Sequence, residues 1–348
     1  MCNYATGVKA NLPPKACELL NVCDDWTPLE ALADAGFVSR ATFGATIDRM
    51  VTLTLLERSD LPRDPRAEAM DTLGPWNPQA GFFHATTRDV RFASPRVAAR
   101  YTRTKLKHSP PPAATKRYRN VEAIDLRPPQ PDDQFAAVLR ARRTWRRYSS
   151  LPVTLEEIGT VLALTSGIQR WVKGDGIEIP LKTSPSGGAR HALECYVVAR
   201  AVRGLKGGIY HYAPDRHALM RIGGPVRPSR MRAYVPGSGY FAKASAMVFY
   251  TAIFERILWR YPYPRAYRAA LIEAGHVCQT FCLTATRLGL APFSVLALAD
   301  SLIEQDLGID GIKESVLYAA GVGRPPRGTT WAPVARGPSP AVRRNPRV

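Results

Sequence analysis

The sequence predicts an α+β or α/β fold with one long central helix, preceded by a small helical module. Three observations carry this. Helical and strand patterns alternate between about residues 133 and 323; the stretch 266–288 holds an apolar stripe at helical spacing; and residues 27–60 carry paired helix start and stop signals. No internal repeat is evident.

A chain of 348 residues, 45% of them apolar, buries a sizeable core in one large domain or two ordinary ones. No run of eighteen apolar residues occurs, and the first thirty residues lack a basic segment followed by an apolar one. Neither a membrane span nor a secretory signal is expected, and the chain reads as cytoplasmic. The formal charge of +19 invites an anionic partner. Of the 48 basic residues 38 are Arg, however, a bias that coding preference also produces, so nucleic acid is not favoured. The six cysteines form no CxxC pair and no Cys/His ligand spacing, which argues against a structural metal site; Cys278 and Cys282 read as small core residues of one helix.

Residues 1–84 are assigned to the N-terminal module. In "TPLE" Thr27 is placed at an N-cap, Pro28 at the first helical position and Glu30 in a capping box, with Gly36 as a stop. Ser39 then caps a second helix carrying Phe43, Ile47, Met50 and Val51 on one face, and "LTLLERS" follows as a strand. Helix, turn, helix and strand in that order resemble a winged helix. Arg40 and Arg49 lie on the second helix beside Asp48, a poor surface for base readout. Docking of a leader peptide or a partner enzyme suits it better, and plain packing stays open. Residues 85–132 ("KHSPPPAATKRYRN", "LRPPQPDDQ") read as an extended basic connector, and residues 325–348 as a Pro/Arg-rich tail.

In the core region "DDQFAAVLRARR" and "TLEEIGTVLALTSGI" read as helices, the second capped by Thr154 with Glu157 at N3. "ECYVVAR", "GIYHY", "AMVFYTAIF", "FSVLALA" and "SVLYAAGVG" read as strands. The long helix sets Tyr267, Leu271, Ala274, Cys278, Phe281, Ala285 and Leu288 on one stripe. Ile272, His276, Gln279 and Leu283 form another, so the helix is expected to be covered on two sides.

Three stretches carry chemistry. "RARRTWRRYS" concentrates forked guanidinium donors suited to phosphate oxygens. "SPSGG" offers unobstructed backbone amides, and "GVGRP" adds Gly323 and Arg324. In this order, with "EAGHVCQTFCLTATRLGLAP" between the second and third, they resemble the FMN-dependent nitroreductase superfamily. Within it they are similar to the SagB-type dehydrogenases, which oxidise thiazolines and oxazolines in ribosomal peptides. The likeness covers roughly residues 133–324.

The resemblance implies a three-layer core, a mixed sheet with flanking helices around the long central one. It also implies a homodimer with two FMN sites at the subunit interface. Arg142, Thr144 and Arg146 match positions near the FMN phosphate and ribityl chain. Pro185, Ser186 and Gly187 match the loop against the flavin ring, reaching the other subunit's site. Ala291 and Pro292 match backbone at the ring edge, and Arg324 a basic residue near the phosphate. No metal is implied.

In "LWRYPYPRAYR" Tyr261 matches the Tyr of the family's Lys-Tyr pair, but Arg260 stands where Lys is expected. Oxidising an azoline needs a base, and Arg does not lose its proton in a protein. Two alternatives preserve a role for the pair: Arg260 holds Tyr261 as a tyrosinate base, or Arg260 binds an anionic substrate group in a different reaction. A third is packing alone, and His276 is a further acid or base that also reads as core.

The expected function is an FMN-dependent dehydrogenase acting on an azoline-type heterocycle or related bond in a peptide or natural-product intermediate. The alternatives are a nicotinamide-driven nitro or quinone reductase and a non-catalytic scaffold that binds a leader peptide or nucleic acid.

Overall fold

The structure, a computed structural model, describes residues 8–71, 78–109, 134–174 and 177–329, together with Asn3, Thr6 and Pro111. The tail from residue 330 and the part of the connector from residue 112 on lie outside the described residues.

Helices α1 (Pro14–Asn21), α2 (Leu29–Asp34) and α3 (Arg40–Thr52) close a small core of their own around Ala16, Leu19, Leu32, Ile47 and Met50. Each helix alone is too short to hold in water, so mutual burial stabilises all three. The winged-helix order is not seen. Residues 53–56, read as the start of a strand, form turns, and Thr54 takes φ 53°. Thr27 does not cap α2 either, because Pro28 stands at the N-cap position.

α4 (Pro65–Asp71) and α5 (Pro78–Thr87) belong to the main body, where Ala69 is buried in the large core. From α5, His84 is buried between Tyr267 Oη (3.1 Å) and the carbonyl oxygen of Gly311 (3.0 Å), and Arg88 pairs with Glu304. α6 (Pro95–His108) corrects the reading of its segment as extended. Ser94 accepts from the Val97 amide at its N-terminus, Pro95 starts it, and three basic side chains occupy its last turn.

The domain that follows builds from α7 (Gln134–Ala141), β1 (Val153–Thr154), α8 (Leu155–Thr165), β2 (Arg170–Gly174), β3 (Ile177–Leu181), β4 (Leu193–Ala199), β5 (Val202–Arg203), β6 (Gly208–Ala213) and β7 (Ala218–Gly223). It continues through α9 (Pro228–Tyr234), β8 (Ala246–Ile253), α10 (Phe254–Leu258), α11 (Ala266–Arg287), β9 (Ala291–Val295), α12 (Asp300–Leu307) and β10 (Glu314–Gly323). α8 starts on the expected capping box: Thr154 Oγ1 accepts from Glu157 N, and Thr154 N donates to Glu157 Oε2. Such a box contributes about 1 kcal/mol.

The main sheet runs β7-β6-β4-β8-β10-β9, and every one of its ladders is antiparallel; among the described residues parallel pairing is confined to β1 with β5. Both faces are covered, which is why "AMVFY" is apolar without alternation. Val197 of β4 and Val248 of β8 point into the layer with α8, α10 and α11, whereas Val198 and Met247 point into the layer with α9 and α12. The three-layer α+β core is thus in place. The strand read as "FSVLALA" starts earlier, at Ala291. As an edge strand it tolerates Pro292, which has no amide to donate.

α11 matches its expected span. Tyr267, Ala274, Cys278, Phe281 and Ala285 are buried, but Leu271 is exposed, and so are Ile272 (58%), His276 and Gln279 of the second stripe. In the single chain that second stripe faces outward.

Candidate functional site

The Arg-rich segment leaves α7 in extended form and lies between two strand ends. Trp145 N donates to the Pro292 carbonyl at the start of β9 (2.9 Å), and Ser149 N to the Arg324 carbonyl at the end of β10 (3.0 Å). Arg142, Thr144 and Arg146 are thereby brought together with Ala291 and Pro292. Among the described residues Arg142, Arg143, Arg146 and Arg147 form no ion pair with a carboxylate. Arg143 donates to the Arg140 and Arg142 carbonyls, and Arg146 lies over the Tyr240 ring, 5.9 Å from its centroid. Arg142 also lies within electrostatic reach of Cys282 on α11, although burial dominates and pushes that thiol up to about 11.

Arg324 joins this group through its backbone only. Its guanidinium donates to the Pro152 carbonyl (3.1 Å) and to Glu157 Oε2 (2.7 Å), the carboxylate of the capping box. The glycine before it makes room for an aromatic ring: a Cβ on Gly323 would lie 2.6 Å from Tyr148 Cδ1.

The "SPSGG" loop forms a second group, laced along one side of α11. Ser184 Oγ bonds Thr280 Oγ1 (2.8 Å), the Pro185 carbonyl lies 3.2 Å from His276 Nδ1, and Ser186 Oγ donates to Glu273 Oε2 (2.6 Å). Positions 273, 276 and 280 share a helix face. Glu273 is 3% exposed and also accepts from Leu193 N (3.4 Å); burial raises its carboxyl against these bonds. Sequence reasoning missed Glu273. An acidic residue inside an otherwise apolar helical stretch was the available signal.

Gly188 explains the double glycine. It takes φ +58°, and a Cβ there would lie 2.6 Å from Tyr261 Oη and 3.1 Å from Arg260 Cδ. At Gly187 a Cβ would make only ordinary contacts, at 3.8–3.9 Å from Ile257, Ala269 and Tyr261. The Arg260–Tyr261 pair therefore converges on the loop that holds Pro185, Ser186 and Gly187.

α11 separates the two groups. Glu273 and Cys282 are nine residues apart, about 14 Å along the axis and two and a half turns around it, so they face opposite sides. Among the described residues no hydrogen bond or ion pair is seen between the arginine cluster and the Arg260–Tyr261 group. Lys182, also absent from the sequence expectations, lies half-buried just before the loop; burial lowers its ammonium, opposed by Glu194 and Glu273. Among the described residues no group of three or more His, Cys, Asp or Glu side chains is placed to hold a metal ion, and no helix is long and apolar enough to cross a membrane.

Comparison with known proteins matches residues 139–324 to the family described as "Nitroreductase family". A Methanocaldococcus jannaschii protein named as nitroreductase MJ1384 is 36% identical over 187 residues, which are 54% of this chain and 89% of that one. The trifolitoxin-processing protein TfxB of Rhizobium leguminosarum is 30% identical over 176 residues, 49% of this chain and 46% of that one. The microcin B17-processing protein McbC of Escherichia coli is 30% identical over 131 residues, 36% of this chain and 48% of its own length. The chain thus spans about half of each of these two processing proteins. A chain of the E. coli microcin synthetase McbBCD complex with truncated pro-MccB17 bound shares the fold, with TM-score 0.52 and 20% identity over 78% of this chain and all of that one. On the residues matched and on the three-layer core that carries them, the chain belongs to the nitroreductase family, a family of oxidoreductases.

Proposed function

We propose that this oxidoreductase binds FMN and oxidises an azoline-type heterocycle, or a related bond, in a peptide or natural-product intermediate. The observation that carries the reading is the arginine cluster at Ala291–Pro292. Its guanidiniums lack carboxylate partners among the described residues, the donor chemistry a flavin phosphate requires. Arg142, Thr144 and Arg146 would hold the phosphate and ribityl chain, and the backbone at Ala291 and Pro292 would border the ring. Arg324, paired with Glu157, supports the segment instead of the ligand. When bound, the flavin supplies two-electron acceptance.

The protein's own residues supply orientation and proton removal. Tyr261 Oη has no hydrogen-bond partner among the described residues and stands beside Arg260 at Gly188. As the phenolate it would take the proton from the ring carbon of the substrate and become the neutral phenol, with the permanent charge of Arg260 beside it. The outward stripe with Leu271 and Ile272 supports a homodimer across α11, in which the Pro185–Gly187 loop of one copy meets the arginine cluster of the other. Similarity to TfxB and McbC supports a peptide substrate and a partner protein, with the N-terminal helices as the docking module.

The test is the visible spectrum of the purified chain, with the released chromophore identified after denaturation. FMN near one per chain is expected; a colourless protein that takes up no added FMN overturns the proposal. The 36% identity to MJ1384 favours a second reading, a nicotinamide-driven reductase. Rapid bleaching of the flavin by NADPH, with turnover of a quinone, would select it.

A further inference from the structure

A cleft of about 590 Å³ opens between the β2–β3 hairpin, the β6–β7 turn and α10. It is large enough for a side chain with its neighbours, within the size range of ligand sites. Four cations line it, Lys182, Arg190, Arg216 and Arg256, against the carboxylates Glu194 and Asp215. Trp171 and Met220, 52% and 42% exposed, add apolar wall.

The charges in the cleft are unequally satisfied. Glu194 is engaged twice, by His211 Nε2 (2.5 Å) and by Arg256 Nη1 (2.5 Å). Burial pushes its carboxyl up, but these two partners outweigh it and hold the group low. Glu273, the other carboxylate in electrostatic reach of Lys182, is held by Ser186 and by the Leu193 amide. Among the described residues Lys182 makes no hydrogen bond or ion pair, although it is half-buried. Taking an ammonium out of water without a partner is costly, and an incoming carboxylate relieves that cost. His191, which also lines the cleft, is pushed down to about 4 by burial and by the charge of Lys182, so it is neutral at pH 7 and adds no charge there.

The cleft is joined to the proposed reaction site. Arg190 donates from Nε to the Gly188 carbonyl (3.1 Å) and lies over the Trp259 ring, 5.6 Å from its centroid, next in sequence to Arg260 and Tyr261. We propose that this cleft is a substrate subsite that receives, on Lys182, a carboxylate of an acidic peptide segment whose reacting residue lies at Tyr261. The location of chemistry at Tyr261 rests on the reading above; binding of the carboxylate does not.

The test titrates the full chain calorimetrically with acetyl-Asp-Phe-Asp-amide, with its neutral counterpart acetyl-Asn-Phe-Asn-amide, and with inorganic pyrophosphate. The diacid is expected to bind at least about tenfold more tightly than the neutral peptide, and Lys182→Gln to abolish the difference. Equal binding of the two peptides, or selectivity retained in Lys182→Gln, overturns the proposal. Pyrophosphate binding more tightly than the diacid overturns the peptide assignment in favour of a phosphate ligand. Should Lys182→Gln fail to fold, Arg216→Gln on the exposed turn carries the comparison: reduced selectivity is expected, and unchanged selectivity is fatal. FMN uptake measured on the same samples keeps the two proposals apart, since a chain that refuses FMN fails the flavin reading whichever peptide it binds.

Discussion

Ser186 donates its hydroxyl to Glu273 at 2.6 Å while accepting from the His191 amide at 2.9 Å, so one serine ties both ends of the glycine loop to a buried carboxylate on α11. Removing the carboxylate leaves buried donors without acceptors. Glu273→Ala is expected to cost about 2–3 kcal/mol in urea unfolding, more than Ser186→Ala at about 1 kcal/mol. Equal losses would show that the carboxylate does not organise the loop.

Gly188 and Gly187 are expected to respond differently to alanine. A methyl at Gly188 meets Tyr261 Oη at 2.6 Å in a left-handed backbone, whereas one at Gly187 finds ordinary contact distances. Gly188→Ala should lower turnover on the order of 10²-fold with FMN content kept, by displacing Tyr261, whereas Gly187→Ala, on the loop proposed to meet the partner copy's flavin site, should act through FMN content and not through Tyr261. Steady-state kinetics on both variants, with FMN content checked by absorbance, decide it.

The arginines divide by partner. Arg142→Gln and Arg146→Gln are expected to weaken FMN binding about tenfold each with little change in melting temperature. Arg324→Gln breaks the pair with Glu157 and should cost about 1 kcal/mol of stability with FMN affinity kept. A fluorescence titration of FMN beside a thermal melt separates the two outcomes.

Tyr261→Phe is expected to retain FMN and lower turnover by about 10²–10³-fold, the usual share of a proton acceptor. Unchanged kcat would remove Tyr261 from the chemistry.

His84 is pushed down to about 4 by burial, against the hydrogen bond to the Gly311 carbonyl. In the unfolded chain it titrates near 6.5, so between pH 6.5 and 4 the unfolded state binds more protons. The stability that the neutral ring contributes is present above pH 6.5 and is lost as the pH falls toward 4, on the order of 3 kcal/mol. The stability gap between wild type and His84→Gln should narrow over that window. A constant gap in denaturant melts from pH 7 to 4 would refute the assignment.

Local signals were readable in the sequence. The Thr154–Glu157 box, the span of α11 and the apolar run of β8 each depend on neighbours within a turn or on burial of both faces. What sequence reasoning missed depends on distant partners. His84 reaches Gly311 across 227 positions, and Asp89 reaches Ser301 across 212, so nothing near α5 marked it as part of the main body. The helix at 95–108 was hidden by flanking Pro and by a surface without buried residues. Of the proposed site residues, Arg142, Thr144, Arg146, Pro185 to Gly187, Arg260 and Tyr261 were named by resemblance. Glu273 and Lys182 gain their importance only when the loop folds onto α11.

The opposition of Glu273 and Cys282 on α11 also sets a rule for the gene. Each residue turns a helix by about 100°. One codon gained or lost between those positions would swing the loop anchors out of phase with the arginine cluster, even if every side chain named above were kept. Length variants should therefore be rejected between residues 274 and 281.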